Sequence, residues 1–219
     1  MSALSLKYVA LGDSSGVGVG GRQGGYVEHL FQRLRRTRDG VGLLNLAVSG
    51  ATSATVLSGQ LSRAQRASPH VVTLGVGIND LWRGVTPGQF ESHMDQLARG
   101  LVATGARVVV SNLPDMSLAP VARLASNFLP LSLIVERIGA FNVALERVIS
   151  RHGLLHVDLH TPSRVELPAG DFFSADGFHP SDTGYQRMAE HFWPVLLRAC
   201  EPTSEPTSEP TSERTRATG

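Results

Sequence analysis

Tyr8-Val9-Ala10-Leu11-Gly12-Asp13-Ser14-Ser15 carries an apolar run straight into a serine. The four apolar residues read as a buried first strand, over about 7–11, which glycine breaks. A serine just past the carboxyl end of such a strand sits where open α/β sheets bind ligands. Its hydroxyl is protonated at neutral pH. To act as a nucleophile it needs a base, a group that orients the base, and donors for the oxyanion that forms.

Outward from this point, strands and helices alternate. Tyr26, Val27, Leu30, Phe31 and Leu34 recur at helical spacing, and Gly40 ends that segment. A second strand is expected over 43–48. A helix over 53–67, with Val56, Leu57 and Leu61 on one face, stops before Pro69. The third strand, 71–76, is almost wholly apolar, as a strand covered on both faces should be. Pro87 opens a helix striped by Phe90, Met94, Leu97 and Leu101. A fourth strand over 107–111 leads to an irregular apolar stretch, 120–130. A long helix over 131–151, a fifth strand over 154–159, a loop from Thr161 and a last helix over 181–199 follow. This alternation implies a mostly parallel sheet with helices on both faces. Ser14, Gly50, Asn79, Asp176 and His179 all follow predicted strands, so the topology can gather them at one edge.

The bulk properties suit a soluble enzyme. Of 219 residues, 1–200 fit one domain. Within 201–219, Glu-Pro-Thr-Ser occurs three times. Proline at every fourth position and the lack of apolar side chains mark it as a disordered tail. The net charge of +1 creates no field for nucleic acid or an anionic membrane. Arg33, Arg35, Arg36 and Arg38 read as the wet face of a helix. Cys200 is the single cysteine, so no intrachain disulfide forms, which fits a reducing compartment. The first residues lack the apolar core of a signal peptide, and no run is long enough to span a bilayer. The expectation is a cytoplasmic protein acting on a small molecule.

Asp176-Gly177-Phe178-His179-Pro180 can supply the base. A carboxylate three residues before an imidazole can accept from one ring nitrogen and leave the other for a serine proton. Pro180 suits the first position of a helix. Gly50 N–H, the Asn79 amide and the serine's own N–H are candidate oxyanion donors. Each feature has a plain alternative: a capping histidine, a turn glycine, a capping asparagine.

Together, and in this order, Gly12-Asp13-Ser14, Gly50, Gly77-x-Asn79-Asp80 and Asp176-x-x-His179 resemble the SGNH (GDSL-type) hydrolase family over the whole domain. The resemblance implies a three-layer α/β/α sandwich with a flavodoxin-like, five-stranded parallel sheet. It implies Ser14 as nucleophile, His179 as base, Asp176 as its partner, and Ser14 N–H, Gly50 N–H and Asn79 as the oxyanion hole. It implies esterase or lipase activity on a small ester through an acyl-enzyme, without cofactor or metal. Acyltransferases and carbohydrate O-deacetylases use the same residues. Ser15 stands where the family's naming motif has leucine.

Several features compete with this reading. Gly16-Val-Gly18-Val-Gly20-Gly21 matches a dinucleotide fingerprint. That fingerprint wants an acid about 20 residues on, at the end of the next strand, and none is there. The glycines are instead expected to form a flexible turn that leaves room for substrate. His156, Asp158 and His160 alternate and can share one strand face as metal ligands. Asp13 and Asp80 are expected to tie down their loops through backbone N–H groups. The G-x-S-x-G elbow of α/β-hydrolases is absent. The apolar segment 113–130, with Leu118, Val121, Leu124, Phe128 and Leu129, reads either as a surface loop with a short helix or as a lid for an acyl chain.

Overall fold

The computed structural model describes residues 6–126 and 130–201. Phe128, Leu129 and the tail beyond Glu201 lie outside the described residues. In chain order the elements are β1 (Leu6–Gly12), α1 (Ser14–Val17), α2 (Tyr26–Thr37), β2 (Val41–Asn45), α3 (Ser53–Gly59) and α4 (Leu61–Arg66). Next come β3 (Val71–Gly75), α5 (Ile78–Trp82), α6 (Pro87–Val102), β4 (Arg107–Ser111), a 3₁₀ turn at Met116–Leu118 and α7 (Pro120–Ala125). The chain continues through α8 (Leu131–His152), β5 (Leu155–Val157), α9 (His160–Glu166), a 3₁₀ turn at Leu167–Ala169 and α10 (Asp182–Ala199).

The five strands form one parallel sheet in the order β2-β1-β3-β4-β5. This is the flavodoxin-like order, in which the chain reverses its progress between β1 and β3 and opens a crevice at their carboxyl ends. Strand side chains alternate between two cores. Val9, Leu11, Val72, Leu74, Val108 and Val110 pack with α3, α4, α6 and α8. Tyr8, Ala10, Val71, Val109 and Val157 pack with α2 and α10 on the other face. Stacked rings reinforce each layer: Phe90 on Phe141 at 4.6 Å, and Tyr26 on Phe192 at 4.5 Å. The three-layer α/β/α sandwich expected from the sequence is the fold. Arg33, Arg35 and Arg36 lie on the exposed face of α2, with Arg33 over the Trp193 ring at 4.4 Å.

The local differences from expectation come from polar side chains that periodicity does not register. β2 stops at Asn45, three residues early, because Asn45 turns its amide to Gly16 O (2.8 Å) and accepts from Ala47 N (3.1 Å). The helix expected over 53–67 breaks into α3 and α4 at Gln60, which is buried and turns inward. The stretch 120–130, expected to be irregular, carries α7, which opens on Pro120. The loop expected from Thr161 starts instead as α9, seeded by Asp158 accepting from His160 N (2.9 Å) and Thr161 N (3.1 Å).

Gln60 positions the serine turn. Its Oε1 accepts from Gly12 N (2.9 Å) and its Nε2 donates to Gly12 O (2.8 Å). Gly12 ends β1 with φ +152°, and a Cβ there would overlap Gly75 O of β3. Gln60→Leu leaves the Gly12 N–H buried without its acceptor, at a cost of about 1–3 kcal/mol. The expected result is a lower urea midpoint at unchanged slope; an unchanged midpoint would show that the clamp contributes nothing.

Candidate active site

Ser14 opens α1, a single helical turn. Asp13 caps it: Oδ1 accepts from Ser15 N (3.0 Å) and Ser15 Oγ (2.8 Å). Burial pushes the Asp13 carboxyl up, against those two hydrogen bonds. Asp13 thus anchors its loop, as expected. At the first helical position the Ser14 N–H has no intrahelical acceptor. Ser14 is 7% exposed and lines a cleft at the carboxyl ends of β1, β3 and β4.

His179 stands across the same cleft. Its Nδ1 lies 2.6 Å from Asp176 Oδ2. The other carboxylate oxygen accepts from Phe178 N, His179 N and Ser174 Oγ, each at 2.9 Å. Partial burial pushes the Asp176 carboxyl up, but the His179 bond and the two N–H groups outweigh it and hold it well below the usual carboxylate range. The pairing of Nδ1 with the carboxylate leaves Nε2 as the nitrogen available to a second group.

Asn79 also lines the cleft, from the first turn of α5. Its Nδ2 donates to Ala51 O at 2.9 Å, which leaves the second amide hydrogen free. Gly50 does not line the main cleft; it lines a separate concavity with Val48, Ser49 and Ala51. Asn79 and the Gly50 turn are joined through Ala51. A second tie sits below. Asp80, fully buried, accepts from Ser53 N with both oxygens (3.1 and 2.9 Å) and from Ser53 Oγ, which His93 Nδ1 also meets at 2.9 Å. Burial pushes Asp80 up, while the Ser53 bonds pull it down. Sequence reasoning gave Asp80 an anchoring role but missed Ser53, Gln60 and His93. A Thr52-Ser53 helix start was the available signal.

The glycine run is packed rather than open. A Cβ on Gly20 would meet Ser174 Oγ at 2.7 Å and His179 Cβ at 3.0 Å; one on Gly21 would meet Tyr185 at 3.0 Å. These glycines let the segment after Ser14 press against the His179 loop, so they leave no room for substrate there. Asp182 Oδ1 accepts from Arg22 N (2.7 Å) and Gln23 N (2.9 Å), and Tyr185 Oη donates to Val19 O (2.7 Å). The start of α10 is thereby locked to the serine turn. Neither Asp182 nor Tyr185 was foreseen as a tie.

The cleft, about 860 Å³ of empty volume with its open mouth included, has mainly apolar walls, among them Leu113, Met116, Leu159, Phe172, Phe178 and Met188. Among the described residues of the segment 113–130, Leu113, Pro114 and Met116 line it. Leu124 is 78% exposed, away from the wall. His191 and Glu166, paired at 2.7 Å, add a polar patch. His156, Asp158 and His160 do not converge: Asp158 is spent on Asn112, His160 N and Thr161 N, which hold it at about 2 despite burial. Among the described residues no group of side chains is arranged to hold a metal, and no helix is long and apolar enough to cross a membrane.

The sequence profile of the GDSL-like lipase/acylhydrolase family matches residues 10–187. Esterase TesA of Pseudomonas aeruginosa is 27% identical over 197 residues, covering 89% of each chain. The crystal structure of the lipase/acylhydrolase from Enterococcus faecalis superposes with a TM-score of 0.71 at 21% identity, covering 91% of this chain and 100% of that one. A variant of Axe2, an acetyl xylan esterase from Geobacillus stearothermophilus, superposes at 0.70 with 18% identity, over 87% of this chain and 94% of the other.

The Asp176 contacts predict a pH effect on stability. A carboxyl held below its unfolded value, about 3.9, stabilises the fold above that pH. The contribution is lost as pH falls through the folded value. The melting temperature should therefore drop as pH falls from about 5, and Asp176→Asn should flatten that drop. Parallel curves for both proteins would contradict it.

Proposed function

Because the chain belongs to the GDSL-like lipase/acylhydrolase family and is a carboxylic ester hydrolase, we propose that Ser14 is its nucleophile, His179 its base and Asp176 the orienting acid. The single observation that carries this reading is one cleft lined by Ser14, Asn79 and His179, with His179 Nδ1 held 2.6 Å from Asp176.

Ser14 Oγ attacks the ester carbonyl as His179 Nε2 takes its proton. Asp176 stabilises the imidazolium through Nδ1 and does not itself become protonated. The oxyanion is met by Ser14 N–H, Gly50 N–H and the free hydrogen of the Asn79 amide. His179 then protonates the leaving alcohol. Water, deprotonated by His179, attacks the acyl-enzyme, and collapse of the second tetrahedral intermediate frees the acid and Ser14. Preorganisation supports the donor assignment. Asn79 is fixed by Ala51 O and its neighbour Asp80 by Ser53, so the amide needs little reorganisation as charge develops. The apolar walls favour the hydrocarbon part of an acyl group over a sugar.

We assign 1–200 to the hydrolase domain and 201–219 to a separate tail, since the family match ends at 187 and α10 at Ala199. Cytoplasmic placement follows the single buried thiol, Cys200. A net charge of +1 gives no reason to expect a nucleic-acid partner.

Ser14→Ala should lower kcat roughly a million-fold, as for removal of a nucleophile that acts as a unit with its base, and abolish labelling by a fluorophosphonate probe. Asn79→Ala should cost about 10²–10³ in kcat, the loss typical of one oxyanion donor. Hydrolysis of aryl esters at near wild-type rate by Ser14→Ala would overturn the assignment.

A further inference from the structure

Beneath the serine turn, the floor of the cleft holds a polar group that the reaction above does not use. Tyr26 comes from the first turn of α2 and is 1% exposed. Its ring is fixed by stacking on Phe192. Tyr26 lines the cleft, and its Oη is buried with no hydrogen-bond partner among the described residues. The neighbouring Thr73 hydroxyl is engaged by Tyr8 at 2.9 Å. Burial, then the nearby Asp13 carboxylate, push the Tyr26 phenol up, so it stays a neutral donor.

Gly75 makes the space. It ends β3 and faces Gly12 across the ladder, about 4.8 Å away by ordinary strand spacing. A Cβ at Gly75 would lie 2.8 Å from Tyr26 Oη and 3.7 Å from Ser111 Oγ. Ser111, which ends β4, lines the cleft as well. The Tyr26 and Ser111 hydroxyls thus flank Gly75 at the floor of the cleft, beside the strand end that leads to Ser14.

We propose that Gly75, Tyr26 and Ser111 form a polar subsite for a hydroxyl carried on the first few carbons of the acyl group, so that esters of hydroxy acids are the preferred substrates. This rests on the ester-hydrolase reading with Ser14 as nucleophile. A plain alkyl chain leaves the buried Tyr26 Oη without a partner, whereas a hydroxyl both donates and accepts there. A carboxylate on the acyl chain is disfavoured by the charge of Asp13 nearby. The closeness of the subsite to Ser14 places the hydroxyl near the carbonyl. A site with hydrogen-bonding groups discriminates by the presence of the hydroxyl more than by chain length.

The test compares kcat/KM for aryl esters of butanoic, 2-hydroxybutanoic and 3-hydroxybutanoic acids, for the wild type, Tyr26→Phe and Ser111→Ala. The wild type should favour a hydroxylated ester by about tenfold, the worth of one good neutral hydrogen bond. Tyr26→Phe should erase that preference, keep turnover of the plain ester, and melt no lower than the wild type, because it removes a hydroxyl without a partner. Equal turnover of plain and hydroxylated esters by the wild type would overturn the proposal, as would a preference that survives in Tyr26→Phe. Calorimetric binding of the same esters to Ser14→Ala separates the two readings. Near wild-type turnover by Ser14→Ala together with selective binding of hydroxy esters would fault the catalytic assignment and keep the subsite; turnover lost in Ser14→Ala without selective binding would do the reverse.

Discussion

The site depends on one backbone constraint, the passage of β1 through Gly12. At φ +152° this residue occupies a region that side chains rarely allow, and its α-carbon lies against Gly75 O. A side chain here would push β1 and β3 apart at the point where the sheet opens. The absence of one lets β1 stay paired to its last residue and then turn sharply into α1. Ser14 therefore emerges from a rigid strand end rather than from a loose loop. Gln60 holds the same residue by both backbone groups, so neither orientation nor depth of the serine turn is free to drift.

Polar side chains extend that constraint to the other loops. Asp80 reaches Ser53 at the start of α3, and Asn79 reaches Ala51. Asn45 reaches Gly16, and Asp182 with Tyr185 reaches the glycine run. Each tie joins a segment after one strand to a segment after another. The apolar cores set the layers, but apolar contact is non-directional and leaves loops free to shift by an ångström or more. Hydrogen bonds supply the direction, most of all the desolvated ones at Asp80–Ser53 and Gln60–Gly12, where breaking one strands a buried donor or acceptor.

This division explains what the sequence made legible. The five strands, the layer order and the four motif blocks follow from apolar periodicity and from residue types near strand ends, and both are local signals. Asp13 and Asp80 were also readable as loop anchors, since acids beside turns seek backbone N–H groups. The ties between distant segments were not. Gln60 reads as one polar residue on an amphipathic helix until Gly12 is placed beside it, and Tyr185 reads as an ordinary core aromatic. The glycine run misled for the same reason. Its composition suggests freedom, while its function is close packing against His179 and Tyr185, which only the fold can show. Helix α9 escaped because its start depends on the Asp158 carboxylate, a single capping group without apolar repeat.

The two halves of the site are held with different stiffness. Ser14 and Asn79 hang from the interior strands β1 and β3, and their supports, Gln60, Ser53 and Asp80, are buried. Asp176 has 47% of its side chain exposed and His179 has 20%, on a loop beyond the sheet. That loop is held by its own carboxylate and by backbone hydrogen bonds, among them Ser174 N to His179 O (2.8 Å) and Val121 N to Gly177 O (3.1 Å). The proposed oxyanion donors gain from stiffness, because their contribution depends on already facing the charge when it forms. The order of the strands gives each proposed group its own kind of support: the proposed nucleophile Ser14 and donor Asn79 at the topological switch point between β1 and β3, the proposed base His179 on a peripheral loop.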